Sequence, residues 1–392
     1  MKIAVVSDLH AYNSKKWKKD DSPSHYDIAN PGPGDQCPMV SLHEFIRKNS
    51  LKADALLCPG DVTNQACSDS LQIAWKAIAE AKKLLGASSL VATVGNHDVD
   101  SRGKHNKYDP IAGLKSLTPK FPISRQNLRN EFWANHFFIW EQDDCRILVV
   151  NSSAYHNNKH EVQHGRVADT TRKEIEKKLD KLDPKPINLL LCHHNPDVHS
   201  ELKLGEHDQI VGGQLLIDVL AKPNRGQWLV IHGHKHHPKL AYAAGGSMSP
   251  TLFSAGSIAS TLYKTLRMEA GNQFYILSFD KDEISKRGLV GKFQSWNWHK
   301  GLGWVPATND KGLPATGGFG HRENPELLAQ RIARYFSTRT RKYLSGTNVY
   351  EKFPNLEYMI PNDLKGLAKS MKAIGATLEF AEDGRINELS VE

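Results

Sequence analysis

Along the first 260 positions apolar residues fall into short runs, and each run ends in a small polar cluster. Met1 to Ser7 ends in Asp8-Leu9-His10, Asp54 to Cys58 in Gly60-Asp61, and Leu90 to Val94 in Gly95-Asn96-His97-Asp98. Ile187 to Cys192 runs into His193-His194, and Trp228 to Ile231 into His232-Gly233-His234-Lys235-His236. Short apolar runs bounded by turn residues predict strands buried on both faces. Arg146 to Asn151 predicts a further strand, leading through Asn151-Ser152-Ser153 into a polar loop, Tyr155 to Gly165, that holds His156, His160 and His164. Helices are predicted between the strands. Asp69 to Gly86 carries Leu71, Trp75, Ile78 and Ala79 near a 3.6 period and stops at glycine. Asp169 to Leu182 is expected to be capped by Asp169, Thr170 or Thr171 and to stop before Pro184.

Beyond residue 260 the pattern changes. Gln273 to Phe279 and Ile284 to Phe293 read as two strands joined by the turn Asp280-Lys281-Asp282-Glu283. Ser295 to Arg322 holds Trp296, Trp298, Trp304 and Gly317-Gly318-Phe319-Gly320, and reads as a loop with aromatic anchors, without the strand and helix context of a phosphate-binding loop. Glu323 or Asn324 is expected to cap a helix to about Leu344 carrying Arg331, Arg334, Arg339, Arg341 and Lys342. Asp363 to Ile374 predicts a shorter helix ending at Gly375, and Thr377 to Val391 a hairpin turning at Glu382-Asp383-Gly384.

The polar clusters share a position as well as a chemistry. Open α/β sheets bind ligands at the carboxyl ends of their strands, so five such clusters point to one site. Together the clusters offer carboxylate, imidazole and amide donors, a hard-to-borderline set that suits divalent Mn, Fe, Zn, Ni or Co; no cysteine sits at these positions, against a closed structural zinc site. Two such cations about 3.5 to 4 Å apart can clamp both oxygens of an in-line phosphoryl displacement. Taken singly the pieces have plainer readings: Gly60-Asp61 is also an ordinary strand-to-loop turn, and Asn96 and Asp98 are turn formers. His234 and His236, two apart, share a side of an extended segment, which places His237 on the opposite side.

In the order D-x-H, G-D, G-N-H-D, H and G-H-x-H, residues 1 to about 260 resemble the calcineurin-like metallophosphoesterase superfamily. The resemblance implies an α/β fold (an α+β sandwich) of two packed mixed β-sheets flanked by helices. Asp8, His10 and His236 would hold one metal, Asn96, His193 and His234 the other, and Asp61 would bridge them. His97 matches the family's catalytic histidine, with Asp98 expected to orient its ring, and the nucleophile would be a bridging hydroxide. In Cys192-His193-His194-Asn195-Pro196 the family's spacing to proline fits His193 best and leaves His194 open. The aspartate in Gly95-Asn96-His97-Asp98 is more like the cyclic-nucleotide phosphodiesterase and DNA-repair nuclease branches than the serine/threonine protein phosphatases. The expected activity is therefore metal-dependent phosphodiester hydrolysis, with manganese the first metal to expect and a nucleotide or nucleic acid as substrate. A phosphomonoesterase or protein phosphatase is the alternative, and a non-catalytic binding scaffold a second.

Composition sets the context. At 392 residues, with 39% hydrophobic content and a mean hydropathy of -0.50, the chain accommodates a catalytic region (1–294), a connecting segment (295–323) and an accessory α+β appendage (324–392) expected to bind a partner protein, a second subunit or substrate. No membrane span is visible, and the first apolar run is too short for a signal peptide. Five cysteines without a C-x-x-C pair read as reduced thiols, so a cytoplasmic location is expected. A net charge of +8 attracts anionic partners at long range. Part of it lies in Lys15-Lys16-Trp17-Lys18-Lys19, directly after the first cluster, where a basic, aromatic loop is able to touch a phosphate backbone or fold back on the core.

Overall fold

The apolar runs become the central strands of two sheets. The structure is a computed structural model that describes residues 1–101, 103–106, 108–156, 164–198, 209–340 and 342–391. In the first sheet, β1 (Lys2–Val5), β2 (Ala55–Cys58) and β3 (Ser89–Ala92) run parallel. The second sheet is ordered β4 (Phe137–Glu141), β5 (Cys145–Val150), β6 (Ile187–Leu191), β7 (Trp228–His232), β9 (Thr251–Ser254), β8 (Lys239–Tyr242), with β5, β6, β7 and β9 parallel. The first sheet continues antiparallel from β1 through β10 (Asn272–Ser278) and β11 (Gly291–His299) to β12 (Gly303–Pro306), and β13 (Thr316–Phe319) also pairs with β11.

Strand periodicity sorts the second sheet's side chains. Ile147, Val149, Leu189, Leu191, Leu229 and Ile231 face the first sheet and join its core. The alternate residues Leu148, Val150, Leu190 and Val230 form a separate outer core with the helices on that side. The helices are α1 (Pro38–Lys48), α2 (Ser68–Leu84), α3 (Ala112–Lys115), α4 (Gln126–Asn135), α5 (Asp169–Leu179), α6 (Gly213–Leu220), α7 (Leu266–Glu269) and α8 (Lys281–Arg287). Leu71, Trp75 and Ile78 of α2 pack on the sandwich core, whereas Ile175 of α5 and Leu216 of α6 close the outer one. No helix among the described residues is long and apolar enough to cross a membrane.

Residues 324 onward build a third layer with its own core of Leu328, Ile332, Phe336, Val349, Leu364, Leu367, Met371 and Leu389. It contains α9 (Pro325–Ser337), α10 (Gly346–Lys352), α11 (Pro361–Ala373) and a sheet ordered β14 (Tyr343–Ser345), β16 (Ile386–Val391), β15 (Ala376–Phe380).

Four local expectations are corrected. The segment after Asp280 is the helix α8, because the Asp280 carboxylate accepts the backbone N–H groups of Asp282 and Glu283 and starts it, and Arg287 then reaches Glu283 one turn back. Ser295 to Arg322 holds the end of β11 and the strands β12 and β13. Trp296 stacks on Phe274 at 5.5 Å, Trp304 donates from Nε1 to Pro38 O, and all three tryptophans are buried. The glycines of β13 reflect close approach: a Cβ on Gly318 would lie 1.9 Å from the carbonyl oxygen of Glu357. The helix capped by Asn324 stops at Ser337 instead of continuing to Leu344, since Tyr343–Ser345 pairs with β16. Arg341 lies outside the described residues. Finally, α5 begins after Ala168 with no side-chain cap; the Asp169 carboxylate engages Arg172.

Candidate metal centre

The strand ends meet because their loops are zipped together. Asp8 N–H donates to Gly60 O (3.1 Å) and His10 N–H to Asp61 O (3.0 Å), joining the loops after β1 and β2. His234 N–H donates to Asp8 Oδ1 (3.0 Å), His97 N–H to Asp61 Oδ1 (2.8 Å), and Gly233 N–H to His193 O (3.0 Å). Asp8, His10, Asp61, His234 and His236 all have φ between 46° and 71°, a left-handed conformation that non-glycine residues hold only when their surroundings enforce it. Two glycines permit the crowding. A Cβ on Gly95 would meet Asp61 N and Oδ1 at 2.1 Å, and one on Gly233 would meet Asp8 Oδ2 and Ser7 Oγ at 2.3 Å.

Seven side chains converge in two overlapping groups. In one, His10 and His236 bring their Nε2 atoms to 3.0 Å, and His236 Nε2 lies 3.3 Å from Asp8 Oδ1. In the other, His193 Nε2 and His234 Nδ1 approach Asn96 Oδ1 at 3.0 and 3.1 Å. Asp61 belongs to both: its Oδ2 is 3.3 Å from His10 Nε2 and 3.3 Å from His193 Nε2. This density of buried donor atoms facing one another, with Asp8 and Asp61 essentially inaccessible, suits two divalent cations.

The electrostatics agree. Burial disfavours both carboxylates' charge, yet the surrounding histidines hold Asp8 and Asp61 far below the usual carboxylate range. Burial likewise pulls His10 down, but Asp61 and Asp8 outweigh it and raise the ring to about 10 in the metal-free protein. His234 is driven well below the usual histidine range, by burial first and His193 second, so it is a neutral donor.

Around the centre, His193 and His194 have different partners. His193 also contacts Pro59 O through Nδ1 (3.0 Å), which directs Nε2 at Asp61 and Asn96. His194 places Nδ1 on Ser152 Oγ (2.8 Å), and its buried Nε2 has no hydrogen-bond partner among the described residues. It nevertheless lies close enough to His193 and His234 to share an ion with them. His97 stands beside the first group, its ring 4.5 Å from that of His10. The expectation that Asp98 orients this ring is corrected. Asp98 accepts the backbone N–H groups of Thr63 and Gly95, while His97 Nδ1 meets Asn64 Oδ1 at 2.9 Å. Burial, then the charge of Asp61, pushes Asp98 up to about 7. Asn64 was missed by the sequence reading; its only signal was its place three residues after Asp61.

The remaining histidines and the basic loop lie further out. His232 is buried with Nδ1 near Gly233 O, and His237 reaches Glu269 (3.5 Å). His156 is buried with its ring 5.0 Å from His194, whereas His160 lies outside the described residues. Trp17 folds back, donating from Nε1 to Asp21 O and packing edge-on to Tyr12, and Lys16 pairs with Asp69. All five cysteines are free.

Residues 317–373 match the model "wHTH-Calcineurin_assc", a winged helix-turn-helix segment. No curated protein matches the chain. Among solved structures, it resembles the purple acid phosphatase PPD1 of yellow lupin (Lupinus luteus) at TM-score 0.50 and 13% identity over 81% of this chain, spanning about half (53%) of that one. PhoD follows at TM-score 0.49 and 10% identity (81% of this chain, 69% of that one), and a dimetal phosphatase from Danio rerio at 0.47 and 9% (76% and 96%). Residues 1–238 match the calcineurin-like phosphoesterase model, and the chain belongs to that family.

Proposed function

We propose that this chain is a dinuclear metal-dependent phosphodiesterase acting on a nucleotide or nucleic acid. The observation that carries it is Asp61, one carboxylate within 3.3 Å of a histidine from each donor group. In this reading Asp8, His10 and His236 would hold one cation, Asn96, His193 and His234 the second, and Asp61 would serve both, with manganese the first metal to test. Such a pair supplies an acidified water and neutralises phosphate charge. The protein's own work is positional: backbone donors fix Asp8 and Asp61, Pro59 O fixes the His193 ring, and Asn64 fixes His97, which would serve the leaving oxygen. The preference for a diester rests on Asp98 closing the Gly95-Asn96-His97-Asp98 motif and on the net charge of +8, which favours polyanionic substrates.

The test is hydrolysis of bis-p-nitrophenyl phosphate beside p-nitrophenyl phosphate, with Mn²⁺ and a chelator control. Chelator-sensitive turnover that favours the diester is expected. A preference for the monoester replaces this reading with a phosphatase, and silence on both with two metals bound per chain replaces it with a binding scaffold.

A further inference from the structure

Beside the centre runs a surface that the proposed chemistry does not use. A groove of about 210 Å³ is lined by His237 and Lys239, by Met268 and Glu269 of α7, and by Lys365 of α11. His237 directly follows His236, so the groove begins at the loop carrying two of the proposed ligands. One of its walls belongs to the C-terminal appendage.

Helix α11 is divided lengthwise. Leu364, Leu367 and Met371 are buried in the appendage core, whereas Lys365, Lys369 and Lys372 are exposed. Their spacing puts the lysines in one stripe about 10 Å long. None of the three has a carboxylate at ion-pair distance among the described residues, unlike Lys16, Lys178, Lys222 and Lys292 elsewhere. In the groove's lining Met268 is 74% exposed, and Tyr263, outside that lining and just before α7, is 52% exposed. Arg267 and Lys300 lie close enough to His25 to lower its proton affinity, after burial itself. His25 N–H donates to Ala259 O, and the same segment reaches Asp8 through Ser257 Oγ, which donates to Asp8 O (2.6 Å). Two carboxylates share the groove: Glu269, 3.5 Å from His237, and Asp310, which accepts from the Thr308 hydroxyl.

From this juxtaposition we infer that α7 and α11 extend the metal centre into a track for single-stranded nucleic acid. The backbone would follow the lysine stripe while Tyr263 and Met268 receive bases. Cations along a groove with apolar faces beside them are what a flexible polyanion carrying π-faces requires. The inference rests on the phosphodiesterase reading and names its substrate as a strand longer than one nucleotide.

The test is fluorescence anisotropy of a labelled 20-nucleotide oligodeoxythymidylate, measured across a salt series in a His97→Ala background so that the strand stays intact. The triple variant Lys365→Glu, Lys369→Glu, Lys372→Glu should reduce the slope of log K against log salt by about 2. Tyr263→Ala should weaken binding about tenfold with the slope unchanged, and Lys83→Glu, on α2, should change neither. Hydrolysis of bis-p-nitrophenyl phosphate by the same variants with His97 intact should stay near wild type, because that substrate is too small to span the groove. An unchanged salt slope in the triple variant overturns the inference. So does equal competition by a duplex or by polyglutamate, which would assign the stripe to double-stranded nucleic acid or an acidic protein. Normal diester turnover without strand binding would sink the track alone; absent turnover would instead sink the phosphodiesterase reading.

Discussion

Gly95→Ala tests the centre through a residue that bears no ligand atom. A Cβ at this position would stand 2.1 Å from both N and Oδ1 of Asp61, where ordinary contact begins at 3.4 Å. Asp61 must therefore retreat by more than 1 Å. The move cannot be local, because Asp61 Oδ1 holds the His97 amide and Oδ2 lies between His10 and His193. Misplacing catalytic groups by about 1 Å costs on the order of 10²-fold in rate, and overpacking a tight site costs about 1–3 kcal/mol of stability. The expected variant is folded by circular dichroism, turns over bis-p-nitrophenyl phosphate at least about 100-fold more slowly, and holds fewer than two metals by elemental analysis. Gly246→Ala, where a Cβ meets nothing within 4 Å, is the matched control. A Gly95→Ala protein with two metals and turnover within about threefold of wild type, a loss of under 1 kcal/mol, would refute the reasoning.

Three further outcomes follow from the same geometry. Asp61→Asn should abolish diester turnover with the fold intact, and undiminished activity would remove the bridging role. Asn64→Ala should lower kcat with both metals retained and add nothing to His97→Ala, since one residue acts through the other; additive losses would separate them. In chelated protein His10 titrates near 10 against an ordinary 6.5, so its contribution to stability is complete below about pH 6.5 and is lost as pH rises through 10. The melting temperature of the chelated protein should therefore fall between pH 7 and 10, less so in His10→Gln, and identical profiles for the two proteins would contradict the assignment.

The fold was legible where one dimension suffices. A run such as Ile187 to Cys192 that is apolar throughout has few alternatives to a doubly buried strand, and the polar residues after it land at the strand's carboxyl end wherever the strand sits in its sheet. The five polar clusters that meet at the centre were located in this way, and the family resemblance named the seven ligand candidates within them. Side-chain direction within a turn was not legible. Asn96–Asp98 forms a 3-10 turn, so Asp98 projects away from its neighbour's ring to hold backbone amides, and the ring's partner comes from another loop. The segment after Asp280 failed differently: Ile284, Leu289 and Val290 are all buried, and their spacing alone does not separate a two-turn helix followed by a strand from one long strand. At β13 the glycine content suggested a loop because the backbone that excludes a Cβ there, at Glu357, lies 39 residues downstream.

That contact bears on how the molecule can be dissected. The strand Thr316–Phe319 is hydrogen-bonded to β11 in the catalytic sheet, Thr316 N–H donates to Asp383 O, and His321 N–H to Tyr358 O. The winged helix-turn-helix match begins at residue 317, inside this strand. A gene cut at that point would leave the catalytic fragment with an uncovered edge at β11 and the appendage fragment with an orphaned segment carrying Phe319, a core side chain of the other half. Modular expression and domain swapping should therefore respect a seam beyond residue 321. Even there, separating the halves exposes the glycine face on which residues 357 and 358 rest.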